Sequence, residues 1–202
     1  MATLLHLKSQ GKIRHIGVSN FAPPSLRRAI ACGEVVSNQV AYNLLFRAVE
    51  FEILPFCREH RIPILCYSPL MQGLLTGKFS SPDEVPPDRA RTRHFSSARP
   101  RARHGEPGAE KETFAAIGHI RKVAERLGQP MAHLALAWLL AQPGVGAVLV
   151  GARNAEQARF NAQCSDLSLP PDALDELTRI AEPLKAALGP NPDMWQSTSR
   201  VM

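Results

Sequence analysis

Apolar residues fall into short unbroken runs that alternate, from Lys12 onward, with stretches where they return at helical spacing. That alternation predicts βα units in a parallel sheet, and four units are legible. A first strand near Ile13 to Ser19 leads into a helix that Pro24 starts and Gly33 ends, since proline is tolerated in a first turn and glycine suits the C′ position. A second strand near Val35 to Ala41 precedes a helix near Glu50 to His60, in which Pro55 forces a kink or a late start. Pro63 to Tyr67 forms the third strand. Ala147 to Val150 forms the fourth, turning at Gly151 into a helix from Asn154 to about Ala162.

Between the third and fourth strands lies the longest irregular stretch, roughly Leu70 to Glu110; loops of that length in a compact domain are functional or disordered. Helical periodicity returns with Phe114, Ile117, Ile120, Ala124 and Leu127. A second helix follows, opened by Pro130 and stopped by Pro143-Gly144, and its Leu134 to Leu140 segment is apolar nearly all round, which demands burial. A final helix is expected from Asp172 to about Leu188, and the tail after Gly189 shows no element. No internal repeat is present.

The candidate chemistry sits where these runs break into polar residues, because ligands of α/β folds bind at the carboxyl ends of parallel strands. Ser19 and Asn20 end the first strand, offering a hydroxyl and an amide to a ligand's carboxamide or, equally, to a turn or helix cap. Gln39, in the otherwise apolar second strand, is either satisfied by backbone or aimed at a ligand. Tyr42 either lines a substrate or sits in the core with its hydroxyl satisfied. Tyr67 offers a flat face at the mouth of the third strand, and Ser68, Pro69 and Leu70 shape the bend beyond it. Further on, Gly73 lets backbone approach a phosphate and Lys78 supplies a cation, although the surrounding spacing is not that of a P-loop. At Gly151 and Arg153 a strand turns directly into a helix, whose start attracts anions, with an arginine able to fork onto a phosphate.

Taken together, Ile16 to Phe21 (I-G-V-S-N-F), Cys66 to Leu70 (C-Y-S-P-L) and the G-x-x-x-G-K run ending at Lys78 resemble the aldo-keto reductase family in wording, order and spacing. The resemblance implies an α/β fold that is part of a (β/α)8 TIM barrel: about four parallel βα units with extra C-terminal helices, residues 1–202 as one unit with a long loop at 70–110 and a tail at 189–202. It also implies a nicotinamide dinucleotide cofactor, with Ser19, Asn20 and Gln39 at the carboxamide and Tyr67 stacked on the nicotinamide. Ser68 to Leu70, Gly73 and Lys78 would meet the pyrophosphate, and Gln157 and Asn161 would flank the adenine. Arg153 beside a helix start favours a 2′-phosphorylated cofactor, NADP(H). One departure stands out: the family usually carries Glu just before that asparagine, and this chain has Phe160.

The family draws its proton-delivering Asp, Tyr, Lys and His from its first four strands, and no residue here maps onto them; the only tyrosines, Tyr42 and Tyr67, already match other positions. The similarity therefore runs over the family's second half, with Met1 inside what should be a helix. Four strands of eight leave two bare edges. The expectation is a fragment without catalytic residues of its own, or a subunit that completes its barrel by self-association or with a missing N-terminal half.

Composition adds bounds. At 202 residues, 45% hydrophobic, the chain supports one ordinary core, and no apolar run suits a membrane span or a signal peptide, which makes the cytoplasm the expected location. Cys32, Cys57, Cys66 and Cys164 lack metal or disulfide spacing and read as reduced, mostly buried thiols; His15, His60, His119 and His133 likewise show no ligand spacing. The net charge of +6 is concentrated between Arg89 and His104. With one aromatic, Phe95, and no nucleic-acid fold signature, that run reads as solvated surface, and nucleic acid is disfavoured as a partner; the family resemblance implies that the region lies over the cofactor, with one or two of its arginines helping to hold the phosphates.

Overall fold

The computed structural model of the chain describes residues 1–201. Helix α1 (Ala2–Ser9) buries none of its residues. Strand β1 (Val18–Ser19) is followed by α2 (Pro23–Cys32), β2 (Asn38–Ala41), α3 (Ile53–Glu59) and β3 (Ile64–Tyr67). Two helices, α4 (Glu110–Arg126) and α5 (Met131–Leu140), precede β4 (Val145–Val148), and α6 (Ala155–Ala162), α7 (Pro171–Ile180) and α8 (Glu182–Leu188) complete the element order. The sheet is four-stranded and parallel in the order β1-β2-β3-β4, as the alternating pattern predicts. All four carboxyl ends therefore open on one side. No described helix is long and apolar enough to cross a membrane.

The inner strands β2 and β3 carry the core residues Val40, Ala41, Ile64 and Cys66. Helix α5 behaves as its all-round apolar sequence demands: Met131 through Leu139 are buried, with Trp138 wholly so. Full burial of one leucine contributes roughly 1.5–3 kcal/mol, so this helix is a major source of cohesion.

Several expectations need correction. Strand β1 is two residues long rather than reaching back to Ile13, because it is an edge with a partner on one side only; toward Ile13 the bond from Val36 N–H to the Ile16 carbonyl at 2.9 Å extends the pairing. The expected single final helix is broken into α7 and α8 around Ala181, since Pro183 has no N–H to continue the ladder. The cysteines need no such correction: Cys57, Cys66 and Cys164 are buried and only Cys32 is exposed, in line with mostly buried thiols, and burial pushes the Cys66 thiol up to about 12.

The largest departure concerns the arginine-rich loop, which is a structural latch rather than a solvated run. Thr92, Arg93, His94, Phe95 and His104 are all buried. The Arg93 Nε donates to both Glu106 carboxylate oxygens at 2.8 and 2.9 Å, and its Nη atoms donate to the carbonyls of Leu188 at 2.5 Å and Asn191 at 3.0 Å. The backbone N–H of Arg93 donates to Met194 O at 2.8 Å. One guanidinium thus joins the loop to the end of α8 and to the tail, which has no regular element yet is anchored. Beside it, burial pushes His94 down to about 4. The ring is therefore neutral, Nε2–H donating to the Leu45 carbonyl at 2.9 Å and Nδ1 accepting from the Thr92 hydroxyl 3.1 Å away.

A second polar knot centres on Glu50, which accepts from Arg47, Tyr42 and Lys185 at 2.7, 2.8 and 2.9 Å. Tyr42 is fully buried against Trp138, which makes it a core residue and removes the substrate-lining alternative.

Two predictions follow from these knots. Removing one partner of a buried ion pair leaves the rest uncompensated, so Arg93→Met should cost on the order of 3–5 kcal/mol in urea unfolding, with amide exchange in residues 189–201 speeding up. For Glu50, burial opposes ionisation, but the hydrogen bonds from Arg47, Lys185 and Tyr42 prevail and hold the carboxyl below its ordinary value of 4.5. A lowered folded pKa contributes stability above the unfolded value that is lost as pH falls through the folded one; an acid titration should therefore show a stability loss below pH ~4.5 that is smaller in Glu50→Gln.

Candidate functional site

The site is assembled at the carboxyl ends of the strands by buried amides. Asn38, wholly buried in β2, donates from Nδ2 to Phe21 O at 2.9 Å and so fixes the turn that carries Ser19 and Asn20. Asn43, also wholly buried, accepts from the N–H groups of Leu45 and Phe46 at 2.9 Å each and donates to Ser68 O at 3.0 Å. Ser68 sits at φ 54, with Met71 at 43 and Gln72 at 54, a run of left-handed residues that stays in place because neighbouring groups over-determine it. Neither Asn38 nor Asn43 stood out as a site residue. Their signal in the sequence, an amide embedded in an apolar strand or at its end, was the same signal that singled out Gln39.

A cleft of about 600 Å³ opens between the β3 turn and the start of α6. On its β3 side it gathers Ser68, Pro69, Leu70, Gly73 and Lys78; across from them stand Gly151, Arg153, Gln157 and Asn161. Arg89 also lines this cleft; it comes from the arginine-rich stretch, in which one or two phosphate-holding arginines are expected but not singled out by the sequence. Gly73 lies at φ +91, and a methyl group added to it would come within 3.1 Å of Arg89 Nη1 and 3.4 Å of Lys78 Nζ. The two cationic side chains thus lie against a backbone whose conformation favours glycine. Burial lowers the Lys78 pKa, and the positive charges of Arg89 and Arg153 lower it further. Among the described residues no carboxylate pairs with Lys78, Arg89 or Arg153. Unneutralised clustered cations of this kind attract anions.

At the start of α6, Asn154 caps the helix by accepting from Gln157 N–H at 2.8 Å, and Gln157 Oε1 accepts from Arg153 N–H at 3.0 Å. Asn161 is buried, and its Nδ2 donates to Gly151 O at 3.2 Å.

The remaining expected residues lie elsewhere. Asn20 and Tyr67 line a separate cleft of about 250 Å³ whose far wall is the tail, through Asp193, Trp195 and Arg200. The Tyr67 hydroxyl donates to Asn20 Oδ1 at 3.0 Å. Burial raises the Tyr67 pKa, the Asn20 hydrogen bond opposing and Asp193 adding to it, so the phenol is neutral. Ser19 and Gln39 line neither cleft: Ser19 Oγ donates to Gln39 O at 3.1 Å, tying β1 to β2. Neither Ser19 nor Asn20 caps α2, whose N-cap is Ala22. Among the described residues there is no group of three His, Cys, Asp or Glu placed to hold a metal ion.

Comparison with known proteins identifies the family. The profile of the aldo/keto reductase family matches residues 1–182. The chain is 33% identical over 189 residues to an NADH-specific methylglyoxal reductase of Escherichia coli (strain K12), a match covering 92% of this chain and 54% of that protein. It is 35% identical over 149 residues to the NADP(+) aldo-keto reductase yakc of Schizosaccharomyces pombe, covering 70% of this chain and 40% of that one. Among solved structures, the glycerol dehydrogenase AKR11B4 from Gluconobacter oxydans superposes with a TM-score of 0.71 at 31% identity, over 94% of this chain and 54% of that chain. The chain spans about half the length of the curated relatives it matches.

One measurement tests the electrostatics of the large cleft. Arg153→Gln removes a neighbouring cation and should raise the Lys78 pKa in an NMR titration of the lysine side chains, and inorganic pyrophosphate should raise it in the unaltered chain.

Proposed function

We propose, from the premise that this chain belongs to the aldo/keto reductase family, that it forms the dinucleotide-holding side of a (β/α)8 oxidoreductase and takes NADP(H). The observation that carries this reading is the unpaired trio of Lys78, Arg89 and Arg153 around Gly73 and the start of α6. A dinucleotide bearing a 2′-phosphate brings the negative charge that such a trio lacks. The names of the relatives point both ways, NADH for one and NADP(+) for the other, and the third cation tips this chain toward NADP(H).

The residues gathered in the large cleft fit the phosphates and the base of such a group. Gly73, Lys78 and Arg89 would hold the pyrophosphate, with Ser68, Pro69 and Leu70 shaping the turn that receives it. Arg153 and Gly151 would meet the 2′-phosphate, and Gln157 and Asn161 the base. The family resemblance alone assigns Ser19, Asn20 and Gln39 to the carboxamide and the ring of Tyr67, its hydroxyl tethered to Asn20, to the nicotinamide, since these four lie outside the large cleft. When bound, the cofactor exchanges hydride with a carbonyl or alcohol substrate. Such a reaction also needs a proton donor at the developing alkoxide. Family resemblance assigns that role to an Asp, Tyr, Lys and His set for which this chain has no counterpart, so residues 1–202, read as one partial barrel, bind cofactor without turnover.

A second reading, a non-catalytic nucleotide-binding subunit, is favoured by one observation: β1 and β4 are the outer strands of an open sheet. A partner chain or a second copy would pair those edges. Sedimentation separates the readings, a well-folded monomer removing the second.

Titration of NADPH fluorescence tests the main proposal. NADPH is expected to bind more tightly than NADH, and Arg153→Gln to weaken NADPH roughly tenfold or more while leaving NADH nearly unchanged, as the loss of a charge-assisted hydrogen bond requires. Equal affinity for the two would overturn the 2′-phosphate assignment, and binding of neither would overturn the dinucleotide reading. Aldehyde-dependent NADPH oxidation by the chain alone is expected to stay at background.

A further inference from the structure

At the α6 end of the large cleft stands a residue that the charge argument leaves unused. Phe160 keeps 39% of its surface exposed, and it lines the cleft beside Asn161. It is not a loose side chain. Its ring packs on the His133 imidazole with centroids 4.1 Å apart at an interplanar angle of 33°. His133 is itself buried, and its Nε2 donates to the Phe160 carbonyl at 2.6 Å. Backbone and ring of Phe160 are thus both held by one histidine, which leaves a rigid aromatic surface toward the cleft.

The polar groups alongside are partly spent. Gln157 Oε1 is engaged with Arg153 N–H, and Asn161 Nδ2 with the Gly151 carbonyl. At position 160 there is no carboxylate to accept from an exocyclic amine. An aromatic platform binds a nucleobase through its π-face, which every base possesses, and so favours bases without strongly distinguishing them.

The geometry points to Phe160, backed by His133, as the stacking platform for the purine of the bound dinucleotide, with selectivity between a 6-amino and a 6-oxo purine correspondingly weak. This inference rests on the dinucleotide reading above and adds to it how the base is held and which bases are accepted.

The experiment is a binding titration of the whole chain with NADPH and with its hypoxanthine analogue, for the unaltered protein and for Phe160→Ala, Phe160→Trp and Phe160→Glu. The two ligands are expected to bind the unaltered chain within about threefold of each other, and Phe160→Ala to weaken both by about tenfold, the size expected for one lost base stack. Phe160→Trp should restore affinity, and Phe160→Glu should favour the 6-amino ligand over the 6-oxo one. NMR supplies a readout that mere structural support would not move: upfield shifts of the base protons on binding, present with Phe or Trp and absent with Ala. Unfolding midpoints identify any variant that fails to fold, in which case the base-proton shifts of the unaltered chain decide. Tight NADPH binding without those shifts, or a strong preference of the unaltered chain for adenine, would overturn the platform and leave the dinucleotide reading standing. Failure of the unaltered chain to bind either ligand would overturn both.

Discussion

A single guanidinium organises both clefts of this protein. Arg93 is buried, and its donors are satisfied by the Glu106 carboxylate and by carbonyls of Leu188 and Asn191. An arginine tolerates burial only where its fixed fork meets acceptors in matching directions, so the loop and the tail must take one arrangement relative to each other. The loop brings Arg89 to the large cleft, four residues before Arg93. The tail brings Asp193, Trp195 and Arg200 to the small one, where Arg200 and Asp193 close on each other at 2.6 and 3.0 Å.

The same economy governs the strand ends. Parallel strands that stop on one side leave backbone groups and turns to be satisfied there, and buried amides do it: Asn38 for the turn after β1, Asn43 for the turn after β3. Held in this way, Ser68, Met71, Gln72 and Gly73 keep left-handed backbone beside the cations. Fixed polar geometry of this kind is what makes an anion site effective, since the groups do not need to reorganise when a ligand arrives.

Opposite requirements meet along the large cleft. Its walls carry positive charge without counterions on both sides, and the α6 side also presents an aromatic ring backed by an imidazole. A ligand with phosphates at one end and a flat heterocycle at the other satisfies both, and a simple anion satisfies only the first. This is why the aromatic ring and the cations belong to a single interpretation.

The one-dimensional pattern was enough for the parallel βα order, for the buried α5 helix and for most of the cleft, because strand runs, helical spacing and strand-end polar residues are local properties of the chain. Gly73, Lys78, Gly151 and Arg153 were legible for that reason. What the pattern did not contain was decided by contacts far apart in sequence. The arginine-rich stretch looked solvated because its acceptors lie on the end of α8 and in the tail, nearly a hundred residues away for the Arg93 to Leu188 bond. Asn20 and Tyr67 parted from the cation cleft because the tail folds over them. Helix α7 ended early through Pro183, a local signal outweighed by the apolar stripe that runs across it. Charge along a chain says how strongly a segment interacts, and only the folded arrangement says whether its partner is water, a ligand or the protein itself.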